Sequence, residues 1–446
     1  MTGRAFLVVA LVWVALVGLA VAIAGGGLGN DEAQYALGAR QLFGDPGDPY
    51  PLFRSIGMRV LAAPGVLAGG GELAIRIPFV LVAIAYAALV WRLARRLGGE
   101  QAAMLALAVQ VSSAPWLTRT GEALSDIASA GLLLALVELV AGDLARPQAR
   151  ARAWVGVAAA GAAAFYVRYG SAPLVALLIA AVVIAFPTRR RAALAAAAGI
   201  AIAVLPFFVW SASRTGSVLG VLRVSETAAN REYVGDGLLW YLSRWPSEVA
   251  WPAMAAAAAV GIVIGLRRPG IPRVLAVAAI AQIVLLGLRV HGESRYVFFA
   301  MSALTVVGAA WIAERPRLRT GMLALCALSA VLGAGFAIAR ADRMAHRRAA
   351  MVTAAAAVRA DARGARCLVY TGTQPQVAWY TRCRTHLIGQ GEAPFDAARG
   401  YPRVYLLSAE GSPRQPESGA AASTPALEFM PLVSGHDPDW FVWRAR

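Results

Sequence analysis

The sequence predicts a mainly α, polytopic membrane helical bundle of about eleven spans, followed by a small α/β extracytoplasmic domain at its C-terminal end. Three observations predict it. Of the 446 residues, 59% are hydrophobic and 15% charged, and the mean hydropathy is +0.60, which is too apolar for an ordinary soluble domain. Apolar runs of roughly 20 residues, the length that crosses a bilayer as helix, recur as far as residue 339. Short arginine clusters separate those runs and alternate along the chain.

The formal charge is +17, carried by arginine without any lysine. Nucleic-acid binding would need that charge in a patch or stripe. Scattered clusters read instead as a topology signal, so no nucleic-acid partner is expected.

The spans fall at 5–25, 73–97, 101–118, 122–141, 153–167, 170–187, 192–212, 250–266, 273–289, 296–312 and 320–339. The first is long enough to be a retained transmembrane helix and not a signal peptide. Counted alternately, Arg4, Arg92/Arg95/Arg96, Arg146/Arg150/Arg152, Arg189/Arg190/Arg191, Arg267/Arg268/Arg273 and Arg315/Arg317/Arg319 share one side. The positive-inside rule makes that side cytoplasmic, with the N-terminus inside and the protein a multi-pass component of the cytoplasmic (inner) membrane. The long segments 26–72, 213–249 and everything after about 340 then lie outside. Within 26–72, "DEAQYALGARQLF" has the spacing of a short interfacial helix.

Residues 1–340 thus form the transmembrane domain, including the outer loop 26–72, and 341–446 a soluble extracytoplasmic one. In the latter, "CLVYTG" (367–372) and "RVYLLS" (403–408) read as strands, and "TQPQVAWYT" (373–381) as a turn and helix. The stretch 410–425 reads as a flexible loop. Cys367 and Cys383 could pair in an oxidising compartment, whereas Cys326 lies in an apolar run.

Three constellations could carry chemistry. In "GNDEAQY" (29–35), Asn30 suits a helix N-cap, which places Asp31 and Glu32 in a first turn where the helix dipole favours negative charge. Alternatively, Asp31 is a general base at the membrane surface. In "RTGEALSDIA" (119–128), Arg119, Glu122 and Asp126 are spaced by three and four and would share a helix face. A carboxylate on lipid costs about 2.5–3.5 kcal/mol on insertion scales, so that face must look into the bundle, as a structural ion pair or as part of a wet cavity. Third, Arg54, Arg59, Arg76, Arg168, Arg214 and Arg295 run against the positive-inside trend. Some are interfacial snorkellers, but Arg76 and Arg295 stand at span mouths where a lipid phosphate would arrive, and guanidinium grips phosphate in bidentate fashion. His291 and Glu293 flank Arg295 and could bind substrate or a metal. Four scattered histidines without HExxH make a dedicated zinc site unexpected. No cofactor is indicated, and a divalent cation is left open. No GxGxxG before a parallel-sheet pattern, phosphate-cradling loop or GxSxG occurs, so phosphate chemistry would have to use a substrate borne by the membrane.

In these motifs and their order the chain resembles the GT-C class of membrane glycosyltransferases, in particular the bacterial branch related to protein O-mannosyltransferases and the lipid A aminoarabinose transferase. The matching stretches are "GNDEAQY", "ELAIRIPFVLVAIAYAALVWRLARRLGG" (72–99), "WLTRTGEALSDIASAGLLLAL" (116–136) and "ESRYVFFAMSALTVV" (293–307), with fainter echoes in "FYVRYGSAPLVALL" and "FFVWSASRTGS". The resemblance implies a GT-C fold over residues 1–340 and transfer of a sugar from a polyprenyl-phosphate donor to an acceptor hydroxyl on a glycan, lipid or protein, on the outer face of the membrane. It also implies that Asp31 is the base assisted by Glu32, that Asp126 is the second acidic position, and that Arg295 and Tyr296 hold the donor phosphate. Arg54, Arg76, Arg119, Glu122, Arg168 and His291 are the further substrate-binding candidates. The relatives' "PPLYP"-like stretch is here "GDPYPLFRSIGMRV", with Arg54 and Arg59 inserted, so donor or acceptor preference is expected to differ. The alternatives are a lipid-linked-sugar flippase or transporter, and a non-catalytic relative whose outer domain binds a partner.

Overall fold

Backbone groups in hydrocarbon must be satisfied within their own segment, and in the computed structural model of this chain each of the predicted apolar runs falls on helix. The structure describes residues 2–45, 50–145, 151–227, 232–387, 398, 400–409, 429–432 and 440–445. Arg146 and Arg150 of the predicted cytoplasmic clusters and the loop expected at 410–425 lie outside them.

The helices are α1 (Gly3–Ala24), α2 (Asn30–Leu42), α3 (Gly57–Leu67), α4 (Glu72–Val111), α5 (Ala114–Leu117), α6 (Ser125–Leu144), α7 (Ala151–Val167), α8 (Ala172–Ala185), α9 (Arg190–Thr215), α10 (Gly220–Thr227), α11 (Asp236–Ser243), α12 (Pro252–Arg267), α13 (Ile271–Arg289), α14 (Phe298–Ala313), α15 (Pro316–Ala362) and α16 (Gln374–Thr381). Among the described residues, 7 helical stretches are long and apolar enough to cross a membrane. The expectation of eleven spans differs from that number for two reasons. The runs 73–97 and 101–118 are counted once within the stretch Glu72–Val111, although they are two helices, as expected, that meet where Gly98 and Gly99 leave helical backbone, the latter at φ 76° and ψ −166°, a positive φ that glycine adopts without a Cβ clash. The runs near 153–167, 170–187 and 250–266 form helices of 17 residues or fewer. α4 stops at Val111 because Pro115 opens the next turn as an early helical residue of α5.

The chain divides into two compact units. The first holds residues 1–22, 52–61 and 76–339. Its helices close on one another through small residues: a Cβ at Gly261 of α12 would run into the Leu304 carbonyl of α14, and one at Gly308 into the Ala257 carbonyl, the close approach that glycine permits between membrane helices. Tyr86 ties α4 to α14, with its hydroxyl 2.5 Å from Ser302 Oγ and 3.1 Å from the Phe298 carbonyl. Ser302 in turn donates to Gln110 Oε1 at 2.6 Å. The outward face of α9 leaves Ile202, Leu205 and Val209 exposed, as a lipid-facing surface does.

The second unit holds residues 23–51, 62–75 and 340–446. It contains a five-stranded sheet of β1 (Cys367–Tyr370), β2 (Arg384–His386), β3 (Arg403–Ala409), β4 (Phe429–Pro431) and β5 (Trp440–Ala445), ordered β2-β1-β3-β5-β4. β1 runs parallel to β2 and β3, and β5 antiparallel to β3 and β4. Alternating side chains separate its faces. Val369, Tyr405 and Leu407 pack with Met351 and Val358 of α15, while Leu368, Tyr370 and Leu406 line the other side with Phe429. Cys367 and Cys383 form a disulfide, and Cys326 is a buried free thiol. The expected division at residue 340 therefore differs in one respect: 23–51 and 62–75, read as an outer loop of the first domain, group with the C-terminal part. The polar reason is specific, since the Tyr380 hydroxyl accepts the Leu28 N–H at 2.7 Å and donates to Glu72 Oε1 at 3.0 Å. Arg348 donates to the Gly27 carbonyl at 2.8 Å.

Candidate functional site

In the second unit, α2 starts one residue before the expected position. Gly29, not Asn30, is the N-cap, in extended backbone, and Ala33 N–H closes the first helical bond on the Gly29 carbonyl at 2.9 Å. Asn30 is already helical and its Oδ1 accepts from Gln34 at 3.3 Å. Asp31 and Glu32 do occupy the first turn, but their surroundings differ. Glu32 is buried; its Oε2 accepts the Gly29 N–H at 2.7 Å and stands 3.8 Å from Arg348 Nη1. It satisfies the helix start as the acidic half of a capping box does. Asp31 is half-buried and, of the two, is the carboxylate with a water-accessible side.

In the first unit, α6 begins only at Ser125, after an extended Leu124, so Arg119, Glu122 and Asp126 do not share a helix face as their spacing predicted. The preceding turn is tight at Gly121, where a Cβ would strike the Gly18 carbonyl. Arg119 instead donates to Glu122 at 2.6 Å and lies 4.0 Å from Glu293. Asp126, in the first turn of α6 and almost fully buried, pairs with Arg168 and lies 3.9 Å from Arg295. Arg168 ends α7 in extended backbone, which turns its side chain back across the bundle to a partner 42 residues earlier. Arg295, just before α14, also pairs with Glu293, and Glu293 stands 3.2 Å from His291 Nε2. The Tyr296 ring lies under Arg168 at 4.8 Å and Arg295 at 5.2 Å, a cation–π arrangement that holds both guanidiniums in place.

The structure thus joins Arg119, Glu122, Asp126, Arg168, His291, Arg295 and Tyr296 in one alternating network of charge. Arg76 stands elsewhere, 1% exposed on α4, where it donates to the Ala22 carbonyl at 2.9 Å. Arg54 lies 5.2 Å over the ring of its neighbour Phe53. Among the described residues no three His, Cys, Asp or Glu side chains converge on a metal position.

A narrow cleft of about 10 Å³ at the network adjoins a larger groove. The cleft is lined by Asp126, Ser129, Arg168, Gln282, Arg295 and Tyr296. It shares Gly170, Leu174, Gln282 and Leu286 with the groove, of about 420 Å³, whose walls are Leu174, Leu222, Leu285 and Leu286 and whose polar positions include Ser225 and Arg289. Sequence reasoning missed Gln282, although a lone amide inside an apolar span is the kind of residue that marks a functional position. Its Nε2 donates to the Tyr296 carbonyl at 2.9 Å and its Oε1 accepts the Ala300 N–H at 2.8 Å, which fixes the turn presenting Arg295 and Tyr296.

The family model for dolichyl-phosphate-mannose-protein mannosyltransferase matches residues 60–210. Over nearly its whole length the chain is similar to ArnT from Cupriavidus metallidurans. The apo structure of that protein superposes with a TM-score of 0.75 at 17% identity, covering 98% of this chain and 97% of that one. The structure bound to undecaprenyl phosphate gives 0.76 with the same identity and coverage. The archaeal oligosaccharyltransferase AglB from Archaeoglobus fulgidus, in complex with an inhibitory peptide and a dolichol-phosphate, gives 0.59 at 13% identity over 86% of this chain and 64% of that one. No curated protein matches the chain. The chain therefore has an ArnT-like fold, and within it residues 60–210 match the dolichyl-phosphate-mannose-protein mannosyltransferase family model.

Proposed function

We propose that the protein transfers a sugar from a polyprenyl-phosphate donor to a hydroxyl of a glycan, lipid or protein acceptor on the outer face of the cytoplasmic membrane. The observation that carries this reading is the network of buried Asp126 with half-buried Arg168 and Arg295, adjoining a leucine-walled groove. A donor of this class has a hydrocarbon tail and a phosphate beside its sugar; the groove of about 420 Å³ suits the tail and the guanidiniums the phosphate, while the cleft, at about 10 Å³, holds no more than a water and must open to admit the sugar. The bound undecaprenyl phosphate of the ArnT structure and the dolichol-phosphate of the AglB structure support it by analogy of fold.

The network is balanced. Arg119, Arg168 and Arg295 face Glu122, Asp126 and Glu293, so an arriving phosphate takes guanidinium donors from a carboxylate. Glu293, 30% exposed against 3% for Asp126, is the one that yields. In the reaction the bond from the anomeric carbon to the phosphate oxygen breaks and its electron pair stays on the polyprenyl phosphate. A bond to the acceptor oxygen forms, and the acceptor proton passes to a carboxylate base, the role for which the family resemblance makes Asp31 the candidate. Fixed guanidiniums stabilise the developing phosphate charge better than mobile water does. In-line attack inverts the anomeric centre.

The test is to incubate the purified protein with a panel of polyprenyl-phosphate sugars and measure release of the lipid phosphate together with glycosylated acceptor. Asp31→Asn is expected to abolish release while donor binding persists. Full activity in that variant defeats the assignment, and donor movement across vesicles without sugar transfer favours the flippase.

A further inference from the structure

The second unit carries its own concentration of positive charge, which the transfer reaction above does not use. Arg40, in the last turn of α2, is 6% exposed. Its guanidinium carbon lies 3.3 Å from the centroid of the Trp379 ring, and its Nη1 donates to the Trp379 carbonyl at 3.4 Å. A guanidinium has five N–H donors, and this long bond engages one. Arg382, the C-cap of α16, lies over the same ring at 5.8 Å and meets Asp45 at 3.8 Å. Its φ is 65°, a left-handed conformation that is strained for a non-glycine residue. What arginine brings there is a second cation beside Arg40. Arg359 of α15 adds its charge to both.

Among the described residues, three guanidiniums against the Asp45 carboxylate leave a formal charge of about +2, since arginine stays protonated at neutral pH. Burial first, then the charge of Arg382, presses the Arg40 guanidinium well below its ordinary value, to about 9. A further anion removes that repulsion. A carboxylate neutralises half of the surplus; a phosphate monoester, at about −1.5 to −2 near neutral pH, neutralises nearly all of it. Its oxygens also suit the guanidinium fork.

We propose that Arg40, Arg359 and Arg382, with the Trp379 ring as their floor, form a binding site for phosphate, presented either on a lipid headgroup or free in solution. The proposal is independent of the sugar-transfer reading.

The experiment is phosphorus-detected NMR titration of the purified full chain with inorganic phosphate and, separately, with dihexanoyl phosphatidic acid, against the variant Arg359→Gln/Arg382→Gln. Both residues are exposed, so the variant is expected to keep its melting temperature. Arg382→Gly relieves the left-handed strain and serves as a second variant that folds. The expected result is saturable line broadening in the wild type and at least tenfold weaker binding in both variants. A tighter dissociation constant for phosphatidic acid identifies a headgroup, and equal constants identify free phosphate. Broadening that is absent in the wild type, or as strong in the variants, overturns the proposal, because the remaining arginines of the chain then account for all of it. Acetate at equal concentration is expected not to compete.

Discussion

Glu32 Oε2 accepts the backbone N–H of Gly29 at 2.7 Å, and this separates the roles of two adjacent carboxylates that look equivalent in sequence. Glu32 is committed to the helix start and to Arg348, whereas Asp31 keeps a water-accessible side. Asp31→Asn is therefore expected to lower turnover by about 10²–10⁴-fold, the range of a lost general base, with an unchanged melting temperature. Glu32→Gln retains an oxygen for Gly29 and should stay within a few-fold of wild-type turnover. Glu32→Ala should destabilise by about 1 kcal/mol, as lost N-terminal caps do. Steady-state kinetics with thermal melts of the three variants decide it; equal catalytic losses in Asp31→Asn and Glu32→Gln would contradict the division.

Arg168 neutralises a carboxylate that is almost wholly withdrawn from solvent. Arg168→Gln should thus destabilise by about 1–3 kcal/mol, because Asp126 loses its hydrogen-bonded partner and keeps only the longer contact with Arg295. Adding Asp126→Asn should restore most of that stability without restoring donor affinity. The double-mutant cycle reads both quantities: melting temperature for the pair, and KM for the polyprenyl-phosphate donor. Recovery of both would mean that Arg168 serves the fold alone.

The spans were legible because an apolar run in a membrane has one way to satisfy its backbone, and α4, α9 and α13 lie close to where hydropathy puts them. The strands at 367–370 and 403–409 were legible from β-branched and aromatic density. What escaped was pairing at long range. Arg168 meets a partner 42 residues away because its extended backbone reverses the side chain, and no spacing rule contains that. The face drawn through Arg119, Glu122 and Asp126 failed because Gly121 and Leu124 interrupt the helix on which the spacing depends. The grouping of α2 with the C-terminal residues rests on Tyr380, 352 positions beyond Leu28.

Gly308 and Gly335 test close helix approach against plain helix propensity. A Cβ at Gly308 meets the Ala257 carbonyl, whereas one at Gly335 meets nothing within 4 Å. Gly308→Leu should destabilise by at least about 1–3 kcal/mol, the usual penalty of overpacking. Gly335→Ala should be neutral or slightly stabilising, since alanine gains up to about 1 kcal/mol over glycine within a helix. Thermal unfolding in detergent distinguishes them, and similar melting temperatures for the two would refute the packing argument.

Tyr380 bonds both Leu28 N–H and Glu72, so Tyr380→Phe removes an acceptor from the loop that leads into α2. Leaving a partly buried N–H unsatisfied costs about 1–3 kcal/mol. Because that loop precedes Asp31, the expected signature is a lower kcat with an unchanged donor KM. A shift in KM alone, or no kinetic change, would make the tyrosine a packing residue only.

The disulfide closes a loop of sequence separation 16 that contains α16, the helix whose Trp379 lies under Arg40 and whose Tyr380 holds Leu28. For a loop of this length, chain-entropy arguments assign about 3 kcal/mol of stability to the link. Cys367→Ser/Cys383→Ser should therefore lower the melting temperature and, by loosening α16, reduce turnover in the manner of Tyr380→Phe. A reductant should reproduce both effects in the wild type and add nothing to the double variant. Labelling intact cells with a membrane-impermeant maleimide is the direct check. Wild-type protein should stay unmodified at both positions until reduced, then react at both, and ready labelling beforehand would show two free thiols.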